Sequence, residues 1–161
     1  MTDLSESDAR HLRAAFRVAA RAREGGNLPF GCVVADDTGK VVIEQGNMAL
    51  APVRDPTAHA ETVAAGLAAR RYEPGELAGF TLYSNAEPCA MCAGAIYWSG
   101  IGRVVFGLTE RDLSRLTGNH PDNPTMDLPC RDVFAAGQRR VEVLGPELVD
   151  EALRVFEGYW G

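Results

Sequence analysis

Two short segments carry the residues with the most chemistry. His59 and Glu61 stand one alanine apart in DPTAHAETVAAG (55–66), and Cys89 and Cys92 stand two residues apart in NAEPCAMCAGAIYW (85–98). A C-x-x-C pair alone has three readings: a redox couple, half of a structural zinc site, or two small buried side chains. The histidine and the glutamate change that balance. Two thiolates and an imidazole suit Zn²⁺, and three protein ligands leave a fourth position open to water, as catalytic zinc requires. Glu61 separates a catalytic centre from a structural one, because a carboxylate beside the open position can take and return a proton. A structural centre would need a fourth protein ligand. Cys130, after a Pro-rich loop, is the stronger candidate, and Cys32, inside the apolar run FGCVVA, reads better as a small buried side chain.

The elements that must position these residues follow from hydrophobic spacing. Both segments read as helix starts, one capped by Thr57 and running to about Arg71, the other starting near Pro88 and stopped by Gly100. A thiol at a helix N-terminus gains from the free N–H groups and partial positive charge there, which favour the thiolate. Residues 6–24 place Leu12, Ala15, Phe16, Ala19 and Ala20 on one helical face. FGCVVADD and KVVIEQGN flank a DTG turn and read as a hairpin. Strands are expected at 80–85, 103–108 and 141–145, and helices at 129–137 and 146–158, with GNHPDNPTMDLP as loop. Alternating strands and helices predict a layered α/β domain with helices on both faces of a mixed sheet.

Length and charge bound the function. A chain of 161 residues suits a single domain spanning 1–161. With 46% hydrophobic and 24% charged residues it has globular composition, no apolar run reaches membrane-spanning length, and MTDLSESDARHLRAAF lacks a secretory pattern. A cytoplasmic location is therefore expected, and with it reduced thiols available for metal or catalysis. The net charge of −6 and the single lysine, Lys40, disfavour nucleic acid as a partner without excluding a local patch. Arg10, Arg13, Arg17 and Arg21 form a stripe on the first helix that reads more readily as a solvated face balanced by acids.

PFGCVV, DPTAHAE, EPCAMCAGAIYW and IGRVVFG together resemble the cytidine deaminase-like superfamily, in the branch of guanine deaminases and tRNA adenosine deaminases. The resemblance covers about residues 10–110 and implies a three-layer α/β/α fold around a five-stranded mixed sheet, with a homodimer as the working unit. It implies hydrolytic replacement of an exocyclic amine by oxygen, with release of ammonia. His59, Cys89 and Cys92 would hold Zn²⁺, Glu61 would shuttle protons, Asn47 would hydrogen-bond the ring, and the backbone N–H of Ala60 would orient it.

The substrate branch is less direct. NLPFG and AIYW resemble the free-base enzymes, whereas CAGAI and IGRVVFG resemble the tRNA-editing ones. Phe30 could stack on a bare heterocycle or belong to the core, and Trp98 could wall the pocket or fill a helix face. Charge favours a small heterocycle, guanine or a guanine-like base, with an amino-triazine open and tRNA adenosine as the alternative. The branch's acidic recognition residue has no clear match; Asp122, Asp127 and Glu110 are the candidates, and His120 is a weaker one. Tyr159 and Trp160 either fold over an active site or pack the last helix.

Overall fold

The computed structural model describes residues 3–118 and 120–160. Helix α1 (Glu6–Glu24) starts at a capping box in which Ser5 and Asp8 exchange side-chain and backbone hydrogen bonds. A hairpin follows, β1 (Gly31–Ala35) and β2 (Val41–Gly46), closed where Asp36 Oδ1 accepts from the backbone N–H groups of Thr38 and Lys40. Then come α2 (Ala60–Arg71), the single turn α3 (Pro74–Leu77), β3 (Thr81–Ala86), α4 (Ala90–Ser99) and β4 (Arg103–Leu108). The chain ends with α5 (Glu110–Thr117), α6 (Cys130–Ala135), β5 (Glu142–Leu144) and α7 (Val149–Phe156).

The five strands form one sheet in the order β2-β1-β3-β4-β5. β1 runs antiparallel to both β2 and β3, while β3, β4 and β5 are parallel, so the sheet is mixed as expected. Period-2 alternation divides the core cleanly. Cys32, Val34, Leu82, Val104 and Phe106 face α2, α4 and α6. Val33, Ala35, Tyr83 and Val105 face α1 and α7. With helices on both faces, β1, β3 and β4 are buried almost throughout, which is why they read as continuous apolar runs.

The layers approach closely where the sequence supplies small residues. A Cβ on Gly31 would lie 2.4 Å from the Ala19 backbone nitrogen, so α1 packs on β1 only because that side chain is absent. Ala60, Ala64, Ala68 and Ala93 share one buried cluster, and this alanine seam lets α2 and α4 lie side by side.

Two local expectations are corrected, and one segment with no expected element is assigned. The N-cap of α2 is His59, not Thr57; the Thr57 N–H and hydroxyl both donate to Asp55 Oδ1 in an Asx turn, which consumes the capping group one turn early. Within 109–128 a helix is present, α5, started by Thr109 Oγ1 accepting from the Asp112 N–H. The last helix is shorter than 146–158, because Leu148 in the left-handed region delays its start.

Candidate active site

The N-termini of α2 and α4 meet beside the C-terminal end of β3. His59 is the N-cap of α2, and Cys89 the N-cap of α4, so both face the metal position from helix ends that carry partial positive charge. His59 Nδ1 lies 3.6 Å from Cys89 Sγ and 3.4 Å from Cys92 Sγ, and the two sulfurs are 3.6 Å apart. Zn–S bonds of about 2.3 Å and a Zn–N bond of about 2.0 Å in a tetrahedron set those edges at about 3.5 Å and about 3.8 Å. The three donor atoms therefore fit Zn²⁺ in geometry and in chemical type. The neighbouring Cys92 and His59 pull the Cys89 thiol down to about 4, towards the thiolate a cation needs.

No fourth protein ligand joins the group among the described residues. Cys130 opens α6 and is fully buried in the core, its N–H donating to Glu87. Cys32 is buried in β1. All four cysteines are free thiols, so neither of these serves as a disulfide partner for the pair. The position that a structural site would fill with a side chain is left to solvent or substrate.

Glu61 is buried two residues beyond His59, and its Oε1 accepts from the Ser84 hydroxyl at 2.9 Å. Burial pushes its carboxyl above the ordinary range, a direction that suits a group meant to carry a proton near neutral pH. Beside it lies a small cavity of about 40 Å³ walled by Leu28, Phe30, Asn47, Glu87, Glu110 and Leu113, with Asn123 at one side. A larger open basin of about 720 Å³ lies elsewhere, by Arg131, Arg139 and Val143, and includes none of the residues just named as metal donors.

Sequence-derived candidates divide here. Asn47 lines the cavity, its Oδ1 fixed by the Ala49 N–H, so Nδ2 is the group left for an occupant. Phe30 reconciles its two readings: it lines the cavity and also packs against Phe156, ring centroids 5.6 Å apart. Ala60 is buried between His59 and Glu61 as the first residue of α2, where backbone N–H groups have no intrahelical partner. Trp98 is corrected. It is 85% exposed on the outer face of α4, neither core nor cavity wall.

The recognition candidates separate as clearly. Asp122 and Asp127 are exposed, and Asp127 pairs with Arg111 at 2.9 Å, so neither lines the cavity. Glu110 does line it. Burial, then negative charge at Cys89 and Glu87, push its carboxyl up to about 8. His120 stacks edge-on against Trp160, and Trp160 in turn against Tyr159. The C-terminus thus braces the loop that carries Asn123 to the cavity. On α1, Arg13 and Arg21 pair with Glu151 and Glu44, as a balanced solvated face would.

Three residues that spacing alone did not reveal hold the site together. Ser84 fixes Glu61. Asn85, fully buried, accepts from the Gly31 N–H and donates to the Pro29 carbonyl, tying the end of β3 to the segment that carries Phe30. Glu87 accepts from the N–H of Glu110 at 2.9 Å and from that of Cys130 at 2.8 Å, joining the starts of α5 and α6 two residues before Cys89. No helix among the described residues is long and apolar enough to cross a membrane.

Comparison with known proteins agrees with this geometry. The family model for the cytidine and deoxycytidylate deaminase zinc-binding region matches residues 5–108. A protein of Schizosaccharomyces pombe named probable cytosine deaminase is 42% identical over 159 residues, 99% of this chain and 96% of that one. The tRNA-specific adenosine deaminase of Haemophilus influenzae is 41% identical over 106 residues, covering 66% of this chain and 61% of its own. A solved guanine deaminase from Nitrosomonas europaea superposes with a TM-score of 0.76 over 99% of this chain and 86% of that one, at 22% identity, which speaks to the fold.

Proposed function

The chain belongs to the cytidine and deoxycytidylate deaminase zinc-binding family, and from that premise we propose that it hydrolyses the exocyclic amine of a free nucleobase or related aminated heterocycle. The observation that carries this reading is the small cavity itself. Leu28, Phe30 and Leu113 offer apolar surface to a ring, Asn47 and Glu110 offer hydrogen bonds to its edge, and His59 and Cys89, two of the three metal donors, line the same cavity. Guanine or a guanine-like base remains the first choice from the sequence, and the similarity over 99% of the chain to a protein named for cytosine supports cytosine as a second candidate. The tRNA reading has its support in the relatives named for that activity, but two of their matches cover only 66% and 72% of this chain. A net charge of −6, with two of the α1 arginines already paired, gives a polynucleotide little to hold. A cytoplasmic homodimer belongs to the same proposal, on the family resemblance.

His59, Cys89 and Cys92 would hold Zn²⁺. When bound, the ion lowers the pKa of water towards neutrality and so supplies a nucleophile. Everything else falls to the chain's own side chains. Glu61 takes a proton from the attacking water, gives it to the ring nitrogen beside the reacting carbon, and then moves the remaining proton of the added hydroxyl to the departing amine, so that the C–N bond breaks as the C=O bond forms. The Ser84 hydroxyl on Oε1 keeps the carboxylate aimed while it changes protonation state. Phe30 and Asn47 hold the ring so that the amine-bearing carbon meets the nucleophile. The sum is amine plus water giving oxo product plus ammonia.

The test is an ammonia-release panel of guanine, cytosine, adenine, their nucleosides, amino-triazines and a tRNA anticodon stem-loop, run on the zinc-loaded protein. Turnover of free bases supports the reading, and turnover of the stem-loop alone refutes it. Glu61→Gln should keep one zinc per chain and lose about 10²–10⁴ in kcat; full ammonia release by that variant would remove Glu61 from the mechanism.

A further inference from the structure

The cavity opens where two neighbouring strands part. β1 and β3 pair antiparallel as far as Cys32↔Ser84. Beyond that pair β1 stays with β2, the Asn47 N–H donating to the Phe30 carbonyl at 3.0 Å. β3 stays instead with β4, through Ala86↔Leu108 and the Glu87 N–H on the Leu108 carbonyl. Phe30 and Asn47 line one side of the gap, and Ala86 and Glu87 the other. Where two strands part inside a protein, the backbone groups that lose their ladder need other partners.

Asn85 supplies them. It is fully buried, its Oδ1 accepting from the Gly31 N–H and its Nδ2 donating to the Pro29 carbonyl, both at 2.9 Å. The Phe30 N–H donates to the Leu28 carbonyl at 2.8 Å, and the Phe30 carbonyl is the acceptor for Asn47. Both peptide units that flank the Phe30 Cα are thus fully hydrogen-bonded, two of the four bonds coming from one side-chain amide. That amide stands on the strand of the reacting groups. Asn85 follows Ser84, which holds Glu61, and precedes the metal donor Cys89 by one short connection.

We propose that Asn85 is a positioning residue for the reaction: it fixes the gap between the wall that holds the ring, Phe30 with Asn47, and the wall that reacts with it, Glu61 with the metal donors. This rests on the reading of the cavity as the base site. Asn85 touches no substrate and acts through Phe30, whose ring face aligns the amine-bearing carbon with the nucleophile.

The test is a double-mutant cycle on the best base in the panel, with zinc-loaded wild type, Asn85→Ala, Phe30→Ala and the double variant, and a second cycle that replaces Phe30→Ala by Ser84→Ala. Asn85→Ala should keep one zinc per chain and lose about 10–100-fold in kcat/KM, chiefly in kcat, because a displacement of about 1 Å at the reacting carbon is that costly. In the Phe30→Ala background the same substitution should cost less than about threefold, since the wall it positions is gone; in the Ser84→Ala background it should keep most of its cost. Asn85→Asp keeps the acceptor for Gly31 and gives up the donor to Pro29. It should lose less than Asn85→Ala, and where the alanine variant does not hold zinc it is judged by the same cycles. An equal loss with and without Phe30, a loss confined to KM, or a loss that vanishes only with Ser84 overturns this assignment alone. Absence of turnover of any free base by wild type overturns the base-site reading, and this assignment with it.

Discussion

Glu110→Gln removes one ionisable proton from the cavity wall while leaving the side-chain volume almost unaltered. Burial is the largest reason that the Glu110 carboxyl sits at about 8 rather than at its ordinary 4.5, with the charges at Cys89 and Glu87 adding to it. A carboxyl whose folded pKa lies above the unfolded one gives its full support to folding below the unfolded pKa, and that support drains as pH rises through the folded pKa. Relative to a neutral side chain, ionisable Glu110 thus costs the native state about 1 kcal/mol at pH 5 and about 3 kcal/mol at pH 7. A cation held by Cys89 offsets that residue's share but leaves the burial in place, so the zinc-loaded protein should show about 1–2 kcal/mol of change between those two pH values. Glutamine leaves its own amide unpaired, a roughly constant cost of about 1 kcal/mol, so the pH dependence is the readout rather than the offset. Urea unfolding of zinc-loaded wild type and variant at about pH 5, 6, 7 and 8 measures it, with metal release common to both and cancelling in the difference. The variant should gain on wild type steadily as pH rises. A difference that stays flat from pH 5 to 8 would refute the claim that Glu110 is both buried and unpaired.

The other expectations concern the frame around the site. Asp8 receives two hydrogen bonds from Arg103 and one from the Tyr83 hydroxyl, which hold its carboxyl well below the usual carboxylate range. Asp8→Asn should cost about 3 kcal/mol near pH 7, read as a lower Tm, and the gap to wild type should start to close below about pH 4, where the unfolded carboxyl is protonated, and go on closing towards the lower pH at which native Asp8 is protonated; a gap independent of pH would rule out the ion pair as its source. Glu87→Gln turns one of two acceptors into a donor facing the N–H of Glu110 or Cys130, and should cost about 1–3 kcal/mol. It should also weaken zinc retention in a chelator-competition titration; unaltered retention would mean that the starts of α5 and α6 do not hold Cys89 in place.

The metal donors were legible because their chemistry is local. His59 and Glu61 lie on one helix start, Cys89 and Cys92 on another, and an alanine seam is enough to predict that the two starts can meet. The strands were legible for a similar reason, since burial on both faces turns them into apolar runs. Trp98 failed on helical phase. Cys92, Ala93, Ile96 and Ser99 define the buried face of α4, and at about 100° per residue Trp98 falls roughly 150° from their centre, beside exposed Met91. That error was avoidable from the sequence. Glu110 was harder: Thr109-Glu110-Arg111-Asp112 carries a T-x-x-D cap signal that could have revealed α5, but no spacing says that the cap would turn Glu110 inward. Glu87 and Asn85 were invisible, because their partners lie 23 to 56 residues away.

Four carboxylates show why burial does not by itself mark a functional acid. Asp8, Glu61, Glu87 and Glu110 are 6%, 6%, 7% and 5% exposed, so solvent access cannot distinguish them. Their hydrogen-bond partners do. Asp8 is saturated by Arg103, Tyr83 and the Ser5 backbone N–H, and can only stay ionised and hold α1 to the sheet. Glu87 spends both oxygens on helix-start amides. Glu61 is held by Ser84 at one oxygen, which fixes its aim and leaves capacity for a proton. Glu110 has a buried oxygen with nothing to accept from. A buried acid can act on a substrate only with hydrogen-bonding capacity that the fold has left unspent. By that measure Asp8 and Glu87 are structural, whereas Glu61 and Glu110 keep capacity that the fold has not used.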